Sequence, residues 1–312
     1  MRNHIITYLT LCLALLAGCN KVAFIDDAAR LEVSANDLVI EDTGGTVTIA
    51  VNQEDWMIHS VEMKDRNGKV PYKGLDGVGE IRYENEFGGF RITRDSYDSL
   101  TVSMKPNFTN QERQLHITLK GSIETVVLNI IQNPTEGFMI DHIEWDEEPE
   151  ITEEILLSKS YRFVNDTDDE LSITIDPYES AFRTMLFESD NHLFWLSISE
   201  ILVSDNLDMP VPGPYPENGR LIFDGNIIDN PIAARIDPME FDKTYETTCD
   251  LGYGTHFIHV YLNNISYKAG YKIHMRHVTD NNVTKIFSGT FTSKTPDGEN
   301  HYITTETFDP EE

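Results

Sequence analysis

Three groups of residues in this 312-residue chain are of types that do chemistry. The first is a pair of histidine doublets, His256 and His259 in "HFIH" and His274 and His277 in "HMRH". Imidazole nitrogens bind zinc and related ions. On a helix, a spacing of three would gather each doublet on one face. The flanking residues read as strand, where positions three apart point to opposite faces. At most one imidazole per strand can then serve a shared site. There is no H-E-x-x-H sequence either, so no metal is expected. The second group is Asp166, Asp168, Asp169 and Glu170 in "NDTDDE". Hard oxygen donors suit calcium, but the spacing and central glycine of a calcium-binding loop are missing, and a solvated turn is expected. The third is Cys249, which needs a neighbouring base and an activating environment to act as a nucleophile and otherwise packs as a small hydrophobe. No G-x-S-x-G, phosphate-cradling loop or dinucleotide fingerprint occurs. With 53 acidic residues, no carboxylate pair stands out for glycoside hydrolysis. The expectation is a chain without catalysis and without a cofactor.

Binding by aromatic rings is the chemistry that remains. Ring faces stack on the apolar faces of sugars, and polar ring atoms bond hydroxyls. Trp145 lies in an acidic run and Tyr215 in a proline-rich stretch, so both are expected at the surface as ligand-binding residues. Trp56 and Trp195 are expected in cores. The formal net charge is −29. Phosphate contacts need clustered Lys and Arg, so nucleic acid is excluded as a partner, and an anionic membrane face is disfavoured.

The amino terminus sets the address. Arg2 precedes 13 mostly apolar residues, Ile5 to Ala17, and small residues follow. This is the layout of a secretory signal peptide, and the run is shorter than the roughly 20 residues that a membrane-spanning helix needs. It ends Leu16-Ala17-Gly18-Cys19, which resembles the lipobox of bacterial lipoproteins. The resemblance implies cleavage before Cys19 and acylation of that cysteine, with residues 1–18 as signal peptide. Two or more acyl chains hold a protein firmly in a bilayer, whereas one does so marginally. Cys12 leaves with the signal and Cys19 carries lipid. Cys249 is then alone, and no internal disulfide is expected. Residues 19–30 read as a tether.

Charge divides the remainder. From Cys19 to Asn133 there are 18 acidic and 12 basic residues, net −6; from Pro134 onward there are 35 and 11, net −24. Such asymmetry suggests separate folding units. In the first, Leu31, Val33, Leu38, Ile40, Val47, Ile49 and Val51 alternate with polar residues, the mark of half-buried strands. "SLTVSMKP", "RQLHITLKG" and "ETVVLNIIQNP" repeat the pattern, and Asn67-Gly68 suits a hairpin turn. The L-x-V-S opening, the D-T-G-G-T-V-T-I hairpin, the Trp after the third strand and the closing V-x-L-x-I-I-Q strand make residues 31–133 resemble the BACON family (Bacteroidetes-associated carbohydrate-binding, often N-terminal). The resemblance implies an immunoglobulin-like sandwich on an exported, often sugar-related protein.

Residues 134–154 hold "DHIEWDEEPEITEE" and read as an acidic connector to a second β-domain, 155–312. Its strands are expected at "SKSYRFVN", "ELSITID", "THFIHVYLN", "YKIHMRHVT" and "TKIFSGTFTS", with a turn at Asp280-Asn281-Asn282. The stretch around "MLFESDNHLFWLSISEI" reads as either a helix or two buried strands, and "DMPVPGPYPENG", with four prolines, as a loop. "YRFVNDTDDELSI" and "YKAGYKIHMRHVTDNNVTKIFSGTFT" resemble strands of aerolysin-type pore-forming proteins. That family implies a Ser/Thr-rich amphipathic hairpin, which residues 179–240 do not clearly supply. The expected whole is an all-β chain of two sandwich domains, the first immunoglobulin-like, behind a lipoprotein signal peptide. It would sit in the bacterial envelope, at the outer membrane, held in the lipid bilayer by acylated Cys19. There it would act as a non-catalytic binding or scaffold module for polysaccharide. The alternatives are a partner for another envelope protein or an aerolysin-like pore-former.

Overall fold

The computed structural model describes residues 30–65, 68–189, 194–203, 208–229, 234–241 and 245–308. Cys19, the signal peptide and most of the tether lie outside them. Strands account for 68% of the chain and helix for 2%, which makes the fold all-β. Internal contacts divide the chain into two compact units, Met1–Thr135 and Glu136–Glu312.

In the first unit the strands are β1 Asp37–Ile40, β2 Gly45–Ala50, β3 Trp56–Asp65, β4 Gly68–Leu75, β5 Gly79–Asn85, β6 Gly88–Arg94, β7 Ser99–Met104, β8 Arg113–Gly121 and β9 Thr125–Gln132. They form two sheets, β1-β9-β8-β3-β4 and β2-β7-β6-β5. All pairings are antiparallel except β1 with β9. Alternate residues of both sheets point inward, as strand geometry requires. Ile49, Ile58, Ile92, Val102, Leu115, Ile117, Leu128 and Ile130 are fully or almost fully buried in one core. Each such side chain contributes roughly 1.5–3 kcal/mol. A bulge at His59, where β3 slips by one residue against β8, lets both Ile58 and Val61 face this core. Trp56 is core, at 3% exposure. Its Nε1 donates to Tyr97 O at 2.6 Å, and the Arg94 guanidinium lies 3.8 Å from its ring centroid. The charged insertion after Trp56 is a real hairpin, and Asp65 pairs with Gly68. Of the Asn67-Gly68 turn expected, Asn67 lies outside the described residues, and Gly68 opens β4 at φ +103°.

The second unit holds β10 Phe138–Trp145, β11 Glu150–Asn165, β12 Leu171–Ile175, β13 Phe182–Ser189, α1 Phe194–Ile201, β14 Asp208–Pro212, β15 Phe223–Asp229, β16 Arg235–Pro238, β17 Thr247–Leu251, β18 Gly254–His277 and β19 Thr284–Phe308. Its spine is the hairpin β18–β19, strands of 24 and 25 residues. At about 3.3 Å per residue each runs about 80 Å. The main sheet is β10-β18-β19-β13-β16, with β11 continuing along the same edge of β18 that β10 occupies. Asp280 closes the hairpin by accepting from the Val283 and Asn282 amides, through O and Oδ1 respectively.

Burial along β18 changes side midway. His256, Ile258, Val260 and Leu262 are buried in the first half, and Tyr267, Ala269, Tyr271, Ile273 and Met275 in the second. Even and odd positions lie on opposite faces of a strand, so the hairpin carries one core on each face. The first is closed by the β12–β17 pair, through Ile175, Tyr178 and Leu251. The second gathers Phe138, Met185, Phe187 and Phe291. There Arg183 and Tyr267 bond the carbonyls of Pro212 and Gly213, which fastens β14 and the turn after it to the sheet.

Two expectations are corrected here. The acidic stretch 134–154 is mostly strand. Its carboxylates sit on the solvent side of edge strands β10 and β11, where Glu144, Asp141 and Glu154 meet Lys272, Arg276 and Lys294 across the sheet. Charge on an edge strand blocks unwanted pairing, and it is this charge that reads as a connector. "DMPVP" is β14 rather than loop: its two-stranded sheet consists only of edges, where proline is tolerated. Of the two readings of the stretch around "MLFESDNHLFWLSISEI", the helix is found, as α1, with β13 before it.

Candidate functional site

The first half of the hairpin has its core on one side and an open face on the other. Alternation in "THFIHVYL" sends His256, Ile258, Val260 and Leu262 inward and Thr255, Phe257, His259 and Tyr261 outward. The register carries this outward row across three strands. Leu157, Tyr261 and Tyr302 align, then Ser160, His259 and Thr304, then Arg162, Phe257 and Glu306, then Val164, Thr255 and Phe308. A bulge between Leu157 and Lys159 on β11 keeps Tyr161 and Phe163 in the core while Ser160 and Arg162 face out.

The resulting surface extends about 20 Å along the strands. Tyr302 and Phe308 are 52% and 54% exposed, well above what a packed ring shows. Phe257 and Phe308 meet edge to face, centroids 5.6 Å apart. Between the rings stand hydroxyl, imidazole, guanidinium and carboxylate groups. The Ser160 hydroxyl lies 2.8 Å from His259 Nδ1. Flat rings interleaved with hydrogen-bonding groups suit a ligand with apolar faces and polar edges.

The register of Tyr302 and Phe308 depends on an irregularity in β19. Leu262 pairs with His301 and Asn264 with Pro296, so residues 297–300 bulge out opposite Asn263. Asp297 organises the bulge: its Oδ1 accepts from the Glu299 and Asn300 amides, both at 2.9 Å, and its Oδ2 from Asn263 and Asn300 side chains. Burial pushes the Asp297 carboxyl up, but these donors outweigh it and hold the group below the usual carboxylate range.

The residues singled out by sequence fall elsewhere. Trp145 is half-buried, its ring 5.6 Å from those of Tyr271 and Phe291 and 5.7 Å from that of Phe223. It closes an aromatic cluster and does not stand open. Tyr215 is half-buried as well, and its hydroxyl donates to Pro296 O at 2.5 Å, on the shoulder of the bulge. Burial pushes that phenol up. Both departures have one cause: the segments expected to be a connector and a loop are fastened to the sheet. Asp166, Asp168, Asp169 and Glu170 lie exposed in a turn closed by Asn165, whose Nδ2 donates to Asp169 O at 2.8 Å. The Cys249 thiol is pushed up by burial and by Asp250, away from thiolate reactivity. His256 is buried between Thr307 and Gly252 O. The open aromatic row is not among the residues singled out by sequence, although the alternation of Phe257 and Tyr261 with apolar neighbours carries it. Among the described residues, donors that can hold a metal come together at His142, Glu144 and His274, on the other half of the hairpin.

No protein-family model matches this chain, and no curated protein matches it. Solved structures give weak likenesses. A protein from Bacteroides thetaiotaomicron determined by NMR is 16% identical over 34% of this chain and 88% of its own, with a TM-score of 0.26. A lamprey immune protein is 12% identical over 88% and 90%, TM-score 0.32. Parasporin-2 from Bacillus thuringiensis, a toxin that recognises cancer cells, is 9% identical over 54% and 73%, TM-score 0.25. Aerolysin-like toxins are thus weak structural neighbours of an all-β chain, and none of these likenesses is strong enough to carry an assignment.

Proposed function

We propose that this protein is a lipid-anchored component of the bacterial envelope that binds glycan without transforming it, through the outer face of β11, β18 and β19. The observation that carries the reading is the row Phe257, Tyr261, Tyr302 and Phe308, set outward among Ser160, His259, Thr304, Arg162 and Glu306. Rings exposed on a rigid sheet lose little entropy on binding, and sugar hydroxyls find donors and acceptors between them. The lipobox ending at Cys19 supports the anchor, and the BACON-like residues 31–133 support a setting concerned with polysaccharide. Trp145 and Tyr215 enter this reading as supports of the sheet, not as contacts.

Electrophoresis of the mature chain through gels containing single polysaccharides tests the reading. Retardation by at least one polysaccharide, lost in Tyr302→Ser/Phe308→Ser, is the expected result. Equal mobility in every gel would remove glycan as the ligand. A second reading, attachment to another envelope protein, is favoured by the exposed apolar side chains of edge strand β11, where Ile151, Ile155 and Leu157 are 45%, 56% and 54% exposed. It predicts a partner recovered by cross-linking in cells, and no gel retardation.

A further inference from the structure

The second half of the hairpin has its core on the odd positions of β18, so His274 stands on the opposite, open side. His142 of β10 is its direct neighbour across the strands. The two imidazoles stack with centroids 4.2 Å apart and planes 12° from parallel. Glu144, two residues beyond His142, is on the same face by strand alternation. Its Oε2 lies 3.2 Å from His274 Nε2 and its Oε1 3.7 Å from His142 Nε2. All three donor atoms fall within 4.8 Å of one another.

Two features set this group apart from a chance meeting of polar side chains. The first is a bulge. Between Ile140 and His142, β10 advances two residues while β18 advances one, so Asp141 is the extra residue. Bulges re-aim side chains. Here the Asp141 carboxylate reaches its neighbour, and its Oδ2 lies 2.8 Å from His142 Nδ1. A carboxylate that accepts from one ring nitrogen leaves the other nitrogen as a free lone pair, the arrangement that orients metal-binding histidines. The second feature is His274 Nε2. It is shielded from solvent and turned to the Glu144 carboxylate, 3.2 Å away. A cavity of about 380 Å³ opens beside both rings, bordered by Arg276, Asn281 and Ile286.

We propose that His142 Nε2, His274 Nε2 and a carboxylate oxygen of Glu144 form a binding site for a divalent ion of the zinc class, with Asp141 orienting His142 and a fourth position open to the cavity. Two imidazoles and one carboxylate are a donor set that such ions accept with three protein ligands. Tetrahedral bonds of about 2.0–2.1 Å place donors roughly 3.3 Å apart, within reach of the observed positions by side-chain rotation alone. His142 and Glu144 are exposed. The ion would also clip edge strand β10 to β18.

Competition between the full mature chain and a chromophoric zinc chelator tests the site. The wild-type chain is expected to take up one equivalent of Zn²⁺. His142→Ala/His274→Ala should bind at least a hundredfold more weakly. Asp141→Asn, which keeps every ligand, should bind about 10- to 100-fold more weakly. Zinc should raise the melting temperature of wild type and leave that of the double variant unchanged, which separates lost binding from lost folding. Absence of zinc uptake by wild type, or equal uptake by wild type and the folded double variant, would overturn the proposal.

Discussion

Replacing Arg183 by Met should loosen the second unit and leave the first untouched. Arg183 is 6% exposed and has no carboxylate within ion-pair distance among the described residues. Its Nε donates to Ser293 Oγ at 2.8 Å, and its Nη2 faces Pro212 O at 2.8 Å, Tyr267 Oη at 3.0 Å and Gly213 O at 3.1 Å. Burial pulls the guanidinium below its usual range, partly offset by Tyr267, so the charge is held at a cost. Met restores the volume and removes that cost, worth several kcal/mol in a buried cation. It also removes three N–H donors, shared among four acceptors and worth about 1.5–3 kcal/mol each, and strips donors from Pro212 O and Ser293 Oγ. Gly213 O keeps the Tyr267 hydroxyl at 2.7 Å. The balance is a loss of about 3 kcal/mol, roughly a hundredfold in an opening equilibrium. Hydrogen exchange followed by mass spectrometry reads this segment by segment. Amides of β13, β14 and the second half of β18 should exchange about a hundredfold faster, and those of β3 and β8 at the wild-type rate. Arg183→Lys, which keeps the charge but not the fork, should fall between. Exchange within threefold of wild type in β13 and β14 would refute the idea that these bonds hold the proline-rich segment to the sheet.

Two further outcomes follow from particular groups. Burial, with a smaller contribution from Tyr83, pushes the Tyr72 phenol up to about 12 from 10.0, and its buried hydroxyl has no hydrogen-bond partner. The folded state therefore holds this proton more tightly than the unfolded chain. The resulting stability is complete below pH 10 and is lost as pH rises from there through about 12. Tyr72→Phe should abolish that share of the alkaline loss and be as stable as wild type or about 1 kcal/mol better at pH 7, as read by denaturant melts at both pH values. Cys19→Ser should move the protein from the membrane to the soluble fraction of lysed cells, and continued membrane partition would remove the lipid anchor from the account.

The sequence made some of this fold readable and hid the rest, for physical reasons. Short strands with one buried face announce themselves by alternation, and β2, β7, β8 and β9 lie where Val47 to Val51, "SLTVSM", "RQLHITLKG" and "TVVLNIIQ" alternate. "THFIHVYLN" and "YKIHMRHVT" read as two strands where β18 is one, and "TKIFSGTFTS" covers only the first part of β19. In the fold, the buried side switches near Tyr267, and Asp297 absorbs three extra residues as a bulge without ending the strand. Charge and proline conceal β10, the first half of β11 and β14, since on edges both are permitted. Alternation also identifies two faces without saying which is covered, so Phe257 and Tyr261 could not be told from core rings until β12 and β17 were seen to close the other side. Pairing of His142 with His274 is a matter of register between distant segments, and no local pattern encodes it.

Sugar binding by the outward rings of β18 and β19 is open to direct measurement. Probing an array of bacterial and host glycans with the soluble mature chain, beside Phe257→Ser/Tyr302→Ser of unchanged melting temperature, tests it most directly. The account predicts a defined set of bound glycans for the wild-type chain, with signals at least tenfold lower for the variant. Binding that the two proteins share equally, or no bound glycan for either, would contradict it.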